Sequence, residues 1–198
     1  FDVSGYIYKW DGGAWDGWRP FAPGTYTAYL RVGTYNMPYS LHSLEKVTSD
    51  PTVAGQTTRQ LGSFLQLGGA AGDSGYDVYR LVPLTDATGN RVVLRMSGIN
   101  TVRLRNVYTD FHSDVFLNYM VFVPTADPGV LPPVVASASP TPGTATRVDP
   151  MPSTFSASIV RRDTTVNLGT IALQINGVSV PSAAVVSDGD GGAVVSWS

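Results

Sequence analysis

Gly98–Pro124, GINTVRLRNVYTDFHSDVFLNYMVFVP, is the stretch on which the fold class turns. Two apolar runs, Thr101–Arg105 and Val115–Val123, flank a loop, Asn106–Asp114, that gathers Tyr108, Asp110, Phe111, His112 and Asp114. β-Branched and aromatic residues suit a pleated, half-buried surface, so the stretch reads as strand, loop, strand. Polar and aromatic side chains held at the end of a rigid sheet are a common recognition surface. Function in the first half of the chain is expected there or beside it.

Toward the N-terminus the same pattern repeats. Thr25–Val32 (TYTAYLRV) alternates, with Tyr26, Ala28, Leu30 and Val32 on one face and Thr27, Tyr29 and Arg31 on the other, as in a strand buried on one side. Leu41–Val47 reads as a strand, with a single helical turn as the alternative; Gly62–Leu67, Tyr76–Leu84 and Arg91–Met96 read as strands. Between them, Gly68–Gly75 (GGAAGDSG) is loop and Thr85–Asn90 (TDATGN) is turn by composition. Trp10, Trp15 and Trp18 sit among Gly and Asp in residues 1–23, a looping segment with one short strand at Gly5–Trp10. No pattern with helical period extends far enough to require a long helix.

Toward the C-terminus the composition shifts at Pro124. Pro124, Pro128, Pro132, Pro133, Pro140, Pro142, Pro150 and Pro152 disfavour continuous secondary structure across residues 124–153 and suit an extended connection. The expected division is a first domain at 1–125, a Pro-rich linker at 126–133 and a second domain at 134–198. In the latter, Thr154–Val160 is a strand, and Thr170–Ile175 joins Val178–Val180 through Asn176-Gly177, a strong hairpin signal. Ala183–Ser187 and Ala193–Trp197 flank Asp188-Gly189-Asp190-Gly191-Gly192 as a second hairpin. That leaves room for about five or six strands, short of the roughly seven of a complete immunoglobulin-type sandwich. The missing part is expected beyond Ser198, and the opening at Phe1 without an initiator Met suggests a fragment or trimmed piece of a longer protein.

Composition agrees with an all-β chain. Gly (21) and Pro (14) are frequent while Lys and Glu are scarce, which favours strands and turns. The 43 % hydrophobic content supplies cores, whereas 14 % charged residues and a net charge of −2 give no footprint for nucleic acid or an anionic membrane. The chain has no Cys, which excludes disulfides and thiolate metal sites. No apolar run approaches the roughly 20 residues of a helical membrane span.

Sugar binding needs flat aromatic surfaces for pyranose rings and nearby amide, carboxylate or guanidinium groups for the hydroxyls. Trp15, Trp18, Tyr35 and Tyr39 lie in expected loops, and Tyr108, Phe111, His112, Asp114 and Asn118 lie in or beside the opening stretch; core packing is the competing use of each aromatic. His42 and His112, the only histidines, lack metal-ligand spacing, so a solvent-exposed or hydrogen-bonded role is the simpler reading. The Asp188–Gly192 run lacks the downstream acidic ligand of an EF-hand, and a hairpin turn explains it. There is no G-x-S-x-G elbow and no phosphate-cradling Gly loop before a helix. Glu45 is the only Glu, and no acid–base pair stands out for glycoside hydrolysis, so the chain reads as non-catalytic.

The runs Gly24–Val32 (GTYTAYLRV), Gly98–Arg105 and Leu117–Pro124 (LNYMVFVP) resemble, in that order, the G-x-Y-x-x-x-x-R-V, G-x-h-T-h-R-h and L-N-Y-h-x-F landmarks of carbohydrate-binding modules of families 6 and 35, across residues 1–124. The resemblance implies a β-jelly-roll sandwich with a sugar site in loops at one end, typically just before the final strand, and often a structural calcium. The acidic opening strand that helps bind calcium in the family is absent, and Asn118 stands where the last strand often has Asp, so calcium stays an open alternative. The second half, with Pro140-Thr141-Pro142-Gly143, Asp163-Thr164-Thr165 and Asn176-Gly177, looks like a bacterial immunoglobulin-like accessory domain. The combined expectation is a non-catalytic polysaccharide-binding module with an accessory domain, part of a larger secreted or cell-surface protein, with a glycan partner, no nucleic acid and no membrane insertion. The rival is a structural subunit of an extracellular filament, surface layer or adhesin stalk, in which self-association buries the loop aromatics.

Overall fold

The computed structural model describes residues 21–35, 39–67, 79–98, 100–107, 114–140, 154–175 and 177–198, without the side chains of 34, 35, 114 and 115. The architecture is all-β and antiparallel. The chain divides into two compact units, residues 1–85 with 91–127, and residues 86–90 with 128–198.

Among the described residues the first unit is a β-sandwich of a four-stranded and a three-stranded sheet. Its strands are β1 (Phe21–Tyr35), β2 (Tyr39–Val47), β3 (Thr58–Leu67), β4 (Arg80–Pro83), β5 (Val93–Gly98), β6 (Val102–Asn106) and β7 (Asp114–Thr125). β1 runs through the middle of the larger sheet. β7 pairs with it from Thr25 to Tyr35 on one side; on the other, β5 takes its first half and β4 its second. At 15 residues β1 is longer than the alternating Thr25–Val32 core suggested. Phe21 pairs with Gly98 ahead of a register shift that ends at Gly24, so Pro23 falls within the irregularity, where its missing N–H costs no ladder bond.

The second sheet has the order β3-β2-β6, and Leu41–Val47 is strand rather than helical turn. Tyr26, Ala28, Leu30 and Val32 are buried together with Leu44, Phe64, Leu84, Val92, Leu94 and Met96, as the alternation of β1 required. The sheets meet at one edge. Ser63 donates its N–H to the Thr85 carbonyl at 2.8 Å and Thr85 returns the bond at 2.9 Å. A Cβ on neighbouring Gly62 would lie 2.8 Å from the Thr85 oxygen and 3.1 Å from Leu84 Cγ, so this approach requires glycine.

The second unit contains β8 (Val134–Ser139), β9 (Phe155–Val160), a 3₁₀ turn (Leu168–Thr170), β10 (Gln174–Ile175), β11 (Val178–Ser179), β12 (Ala184–Ser187) and β13 (Ala193–Trp197). The order β12-β13-β9-β8 makes one sheet, and β10–β11 is a separate ribbon. β8 interrupts the stretch expected to lack continuous structure, because Val134–Ser139 is free of proline and buries Val134 and Ala136. The strand expected from Thr170 starts only at Gln174, since Asn167 Oδ1 accepts the Gly169 N–H and caps the 3₁₀ turn. The Asp188–Gly192 run is a hairpin turn: Asp188 Oδ1 accepts N–H bonds from Asp190 and Gly192, both at 2.8 Å, and Gly189 and Gly191 have positive φ.

Candidate functional site: an exposed tyrosine and arginine face

The outward positions of β1 define the site. With Tyr26, Ala28, Leu30 and Val32 committed to the core, Thr27, Tyr29 and Arg31 point away from it. Cross-strand register then fixes their neighbours. One rung is Tyr119–Arg31–Leu81, the next Val121–Tyr29–Pro83, then Val123–Thr27–Val93 and Thr125–Thr25–Arg95. Tyr119 is 51 % exposed and Leu81 52 %, so this face carries large side chains in contact with solvent.

Two guanidinium groups are held against tyrosine rings. Arg31 Cζ lies 4.3 Å from the Tyr79 ring centroid and 5.8 Å from that of Tyr119; Arg91 Cζ lies 5.9 Å from the Tyr29 centroid. A cation–π contact uses the face of a guanidinium and leaves its in-plane N–H fork for acceptors. Among the described residues neither arginine has a carboxylate partner, whereas Arg95, farther along the same face, is paired with Asp127 through bonds of 2.8 and 3.2 Å.

Asn118 belongs to this neighbourhood. It is the extra residue of a bulge, because Arg31 pairs with Tyr119 and Val32 with Leu117. Bulges re-aim side chains, and here Asn118 and Tyr119 are both exposed in succession. Tyr35 and Asp114 are register partners at the end of β1 and β7. The short 36–38 connection leads to Tyr39, half-buried at the start of β2, and the ends of β3 and β6 lie at that same end of the sandwich. Trp15, Trp18, Tyr108, Phe111 and His112 lie outside the described residues. Tyr29, Arg31, Tyr79, Arg91 and Tyr119 are not among the residues the sequence singles out for binding, because a search for binding groups in loops passes over strand positions. The outward alternation of Tyr29 and Arg31 was the available signal.

A second polar group is enclosed. Ser40 and His42, on the inner side of β2, pair across strands with Gln66 and Asn106 respectively. His42 is 2 % exposed, and burial pushes its pKa down to about 4, so the ring is neutral at pH 7. Its Nδ1, with Ser40 Oγ and Asn106 Oδ1, has no hydrogen-bond partner. The expectation of a solvent-exposed or hydrogen-bonded His42 is thereby corrected: the strand alternation places it inward beside Leu44, on the core side of the sheet.

A third polar group lies on the outer face of the same sheet. Glu45, 4 % exposed, accepts bonds from Arg103 Nε at 3.0 Å and Nη2 at 2.7 Å, and from Ser43 Oγ at 3.1 Å, while Arg105 Nε lies 3.2 Å away. Its carboxylate is fully engaged within the sheet. No known family model, no curated protein and no solved structure matches this chain.

Proposed function

We propose that the first unit is a non-catalytic carbohydrate-binding module of jelly-roll type, and that the second is an immunoglobulin-like accessory domain of a larger secreted or cell-surface bacterial-type protein. The carrying observation is the outer face on which Tyr119, open to solvent, and half-buried Tyr29 and Tyr79 are interleaved with Arg31 and Arg91. Tyrosine rings, exposed at Tyr119 and half-buried at Tyr29 and Tyr79, offer stacking surfaces for the apolar faces of pyranose rings, and guanidinium forks with the Asn118 amide offer donors to their hydroxyls. Because Tyr29, Arg31 and Tyr119 stand on hydrogen-bonded strands, little of their ordering entropy is lost when a ligand settles on them. Glu45, the only Glu of the chain, is held by Arg103, Arg105 and Ser43, so its proposed role is structural.

The test is an array of immobilised polysaccharides probed with the full chain, with and without calcium. Saturable retention is expected, and Tyr119→Ala should weaken it about tenfold or more without lowering the melting temperature. The rival structural role predicts no saturable glycan binding and a Tyr119 that becomes protected on self-association; either result overturns the reading.

A further inference from the structure

We infer that the ligand of this face is an acidic polysaccharide, held by Arg31 and Arg91 without a bridging metal ion. The inference rests on the carbohydrate reading and adds the charge class. Its basis is the different fate of arginines within one unit. On the smaller sheet, Arg103 and Arg105 share the Glu45 carboxylate; on the larger sheet, Arg95 is paired with Asp127. Arg31 and Arg91 instead lie against Tyr79, Tyr119 and Tyr29, with no carboxylate partner among the described residues. A neutral glycan needs donors but not two guanidinium charges that lack a carboxylate among the described residues, whereas an anionic glycan supplies that counter-charge.

The arrangement also has a repeat. Tyr29 and Arg31 are two residues apart on one strand face, roughly 6.8 Å. Each position couples a ring with a guanidinium: Tyr29 with Arg91, and Tyr79 and Tyr119 with Arg31. The ring suits the apolar side of a sugar, and the fork suits a carboxylate or sulfate carried on it, since guanidinium binds planar oxyanions through paired N–H bonds. The chain's net charge of −2 does not oppose this, because two arginines decide the potential of one local face. It does oppose nucleic acid, whose dense phosphates draw on many cationic contacts at once.

The decisive measurement is titration of the full chain, in EDTA, with polygalacturonate and its fully methyl-esterified form, and with a sulfated galactan and its desulfated form. At least one acidic polymer should bind about tenfold more tightly than its uncharged counterpart, and added NaCl should weaken it; which acidic polymer prefers the site separates carboxylate from sulfate. Arg31→Gln and Arg91→Gln should each remove about tenfold of the acidic preference while leaving binding to the neutral polymer in place. Arg161→Gln, on the second unit, should change nothing. Equal binding of charged and uncharged forms, loss of the acidic preference in EDTA, an equal effect of Arg161→Gln, or equal binding of single-stranded DNA would each overturn the inference. Equal binding of charged and uncharged polymers that Tyr119→Ala abolishes would leave the carbohydrate reading standing, whereas no binding to any polymer would remove both.

Discussion

Both sheets of the first unit carry arginines on their outer faces and use them in opposite ways. On the β3-β2-β6 sheet, Arg103 and Arg105 close over Glu45, whose carboxylate is 5 % exposed and also accepts from Ser43. On the β1-centred sheet, Arg31 and Arg91 rest on tyrosine rings and Tyr119 stands open to solvent. A buried carboxylate must be paired or the fold suffers, and Glu45 supplies a structural reason for arginines on that face. Among the described residues the second set has no such carboxylate, which is why the two faces are assigned different work.

The comparison breaks most directly at Glu45. Glu45→Ala takes from Arg103, 19 % exposed, the carboxylate it shares with Arg105, and breaking a buried pair in this way costs about 3 kcal/mol or more. Arg31→Ala removes only surface cation–π contacts, worth about 1 kcal/mol or less. Urea unfolding of the full chain, followed by amide exchange within β2 and β1, reads both. Similar losses from the two substitutions would mean that the faces are not different in kind.

The inner side of β2 sharpens the same contrast through pH. His42 titrates at about 4 when folded and near 6.5 when not, because burial disfavours the cation. The unfolded chain therefore binds more protons between these values. Stability from this group is complete above about pH 6.5 and is lost as pH falls toward 4, by about 3 kcal/mol in all. His42→Leu should flatten that slope relative to the parent; parallel pH profiles for the two proteins would show that His42 is not enclosed as described.

Gly62 tests how the β3 edge is held. The Cβ of Gly62→Ala would meet a backbone oxygen at 2.8 Å rather than the tip of a flexible side chain. Overpacking of this kind costs about 1–3 kcal/mol. A loss of that size in urea unfolding is the expected result, and a neutral effect would mean the Ser63–Thr85 junction is loose.

Much of this fold was legible because strand alternation is local. Thr25–Val32 announced which side chains face the core, and Asn176-Gly177 lies between β10 and β11 as a hairpin signal should. What was not legible depends on register between distant segments. Arg103 reaches Glu45 across 58 positions in sequence, and only the pairing of β2 with β6 brings them opposite. The bulge that exposes Asn118 beside Tyr119 is likewise invisible until β7 is aligned on β1. The two strands expected in Gly98–Pro124 are β6 and β7, and among the described residues of that stretch Tyr119, on a strand, is the most exposed aromatic. Side chains that alternate outward on a strand carry as much information about binding as those in its loops.

The smallest expected effect on stability is also the most pointed test of the comparison. Arg95 and Asp127 are 43 % and 53 % exposed, and an exposed pair contributes about 0–1 kcal/mol, so Asp127→Asn should scarcely move the unfolding midpoint. Removing that carboxylate, however, takes a counter-charge away from Arg95 on the face that carries Arg31 and Arg91. If open arginines recruit the ligand, affinity for an acidic polysaccharide rises in this variant while affinity for its neutral counterpart does not. Unchanged or weaker acidic binding would mean that the face does not act through its unpaired charge, and the distinction between the closed and open arginines would lose its functional meaning.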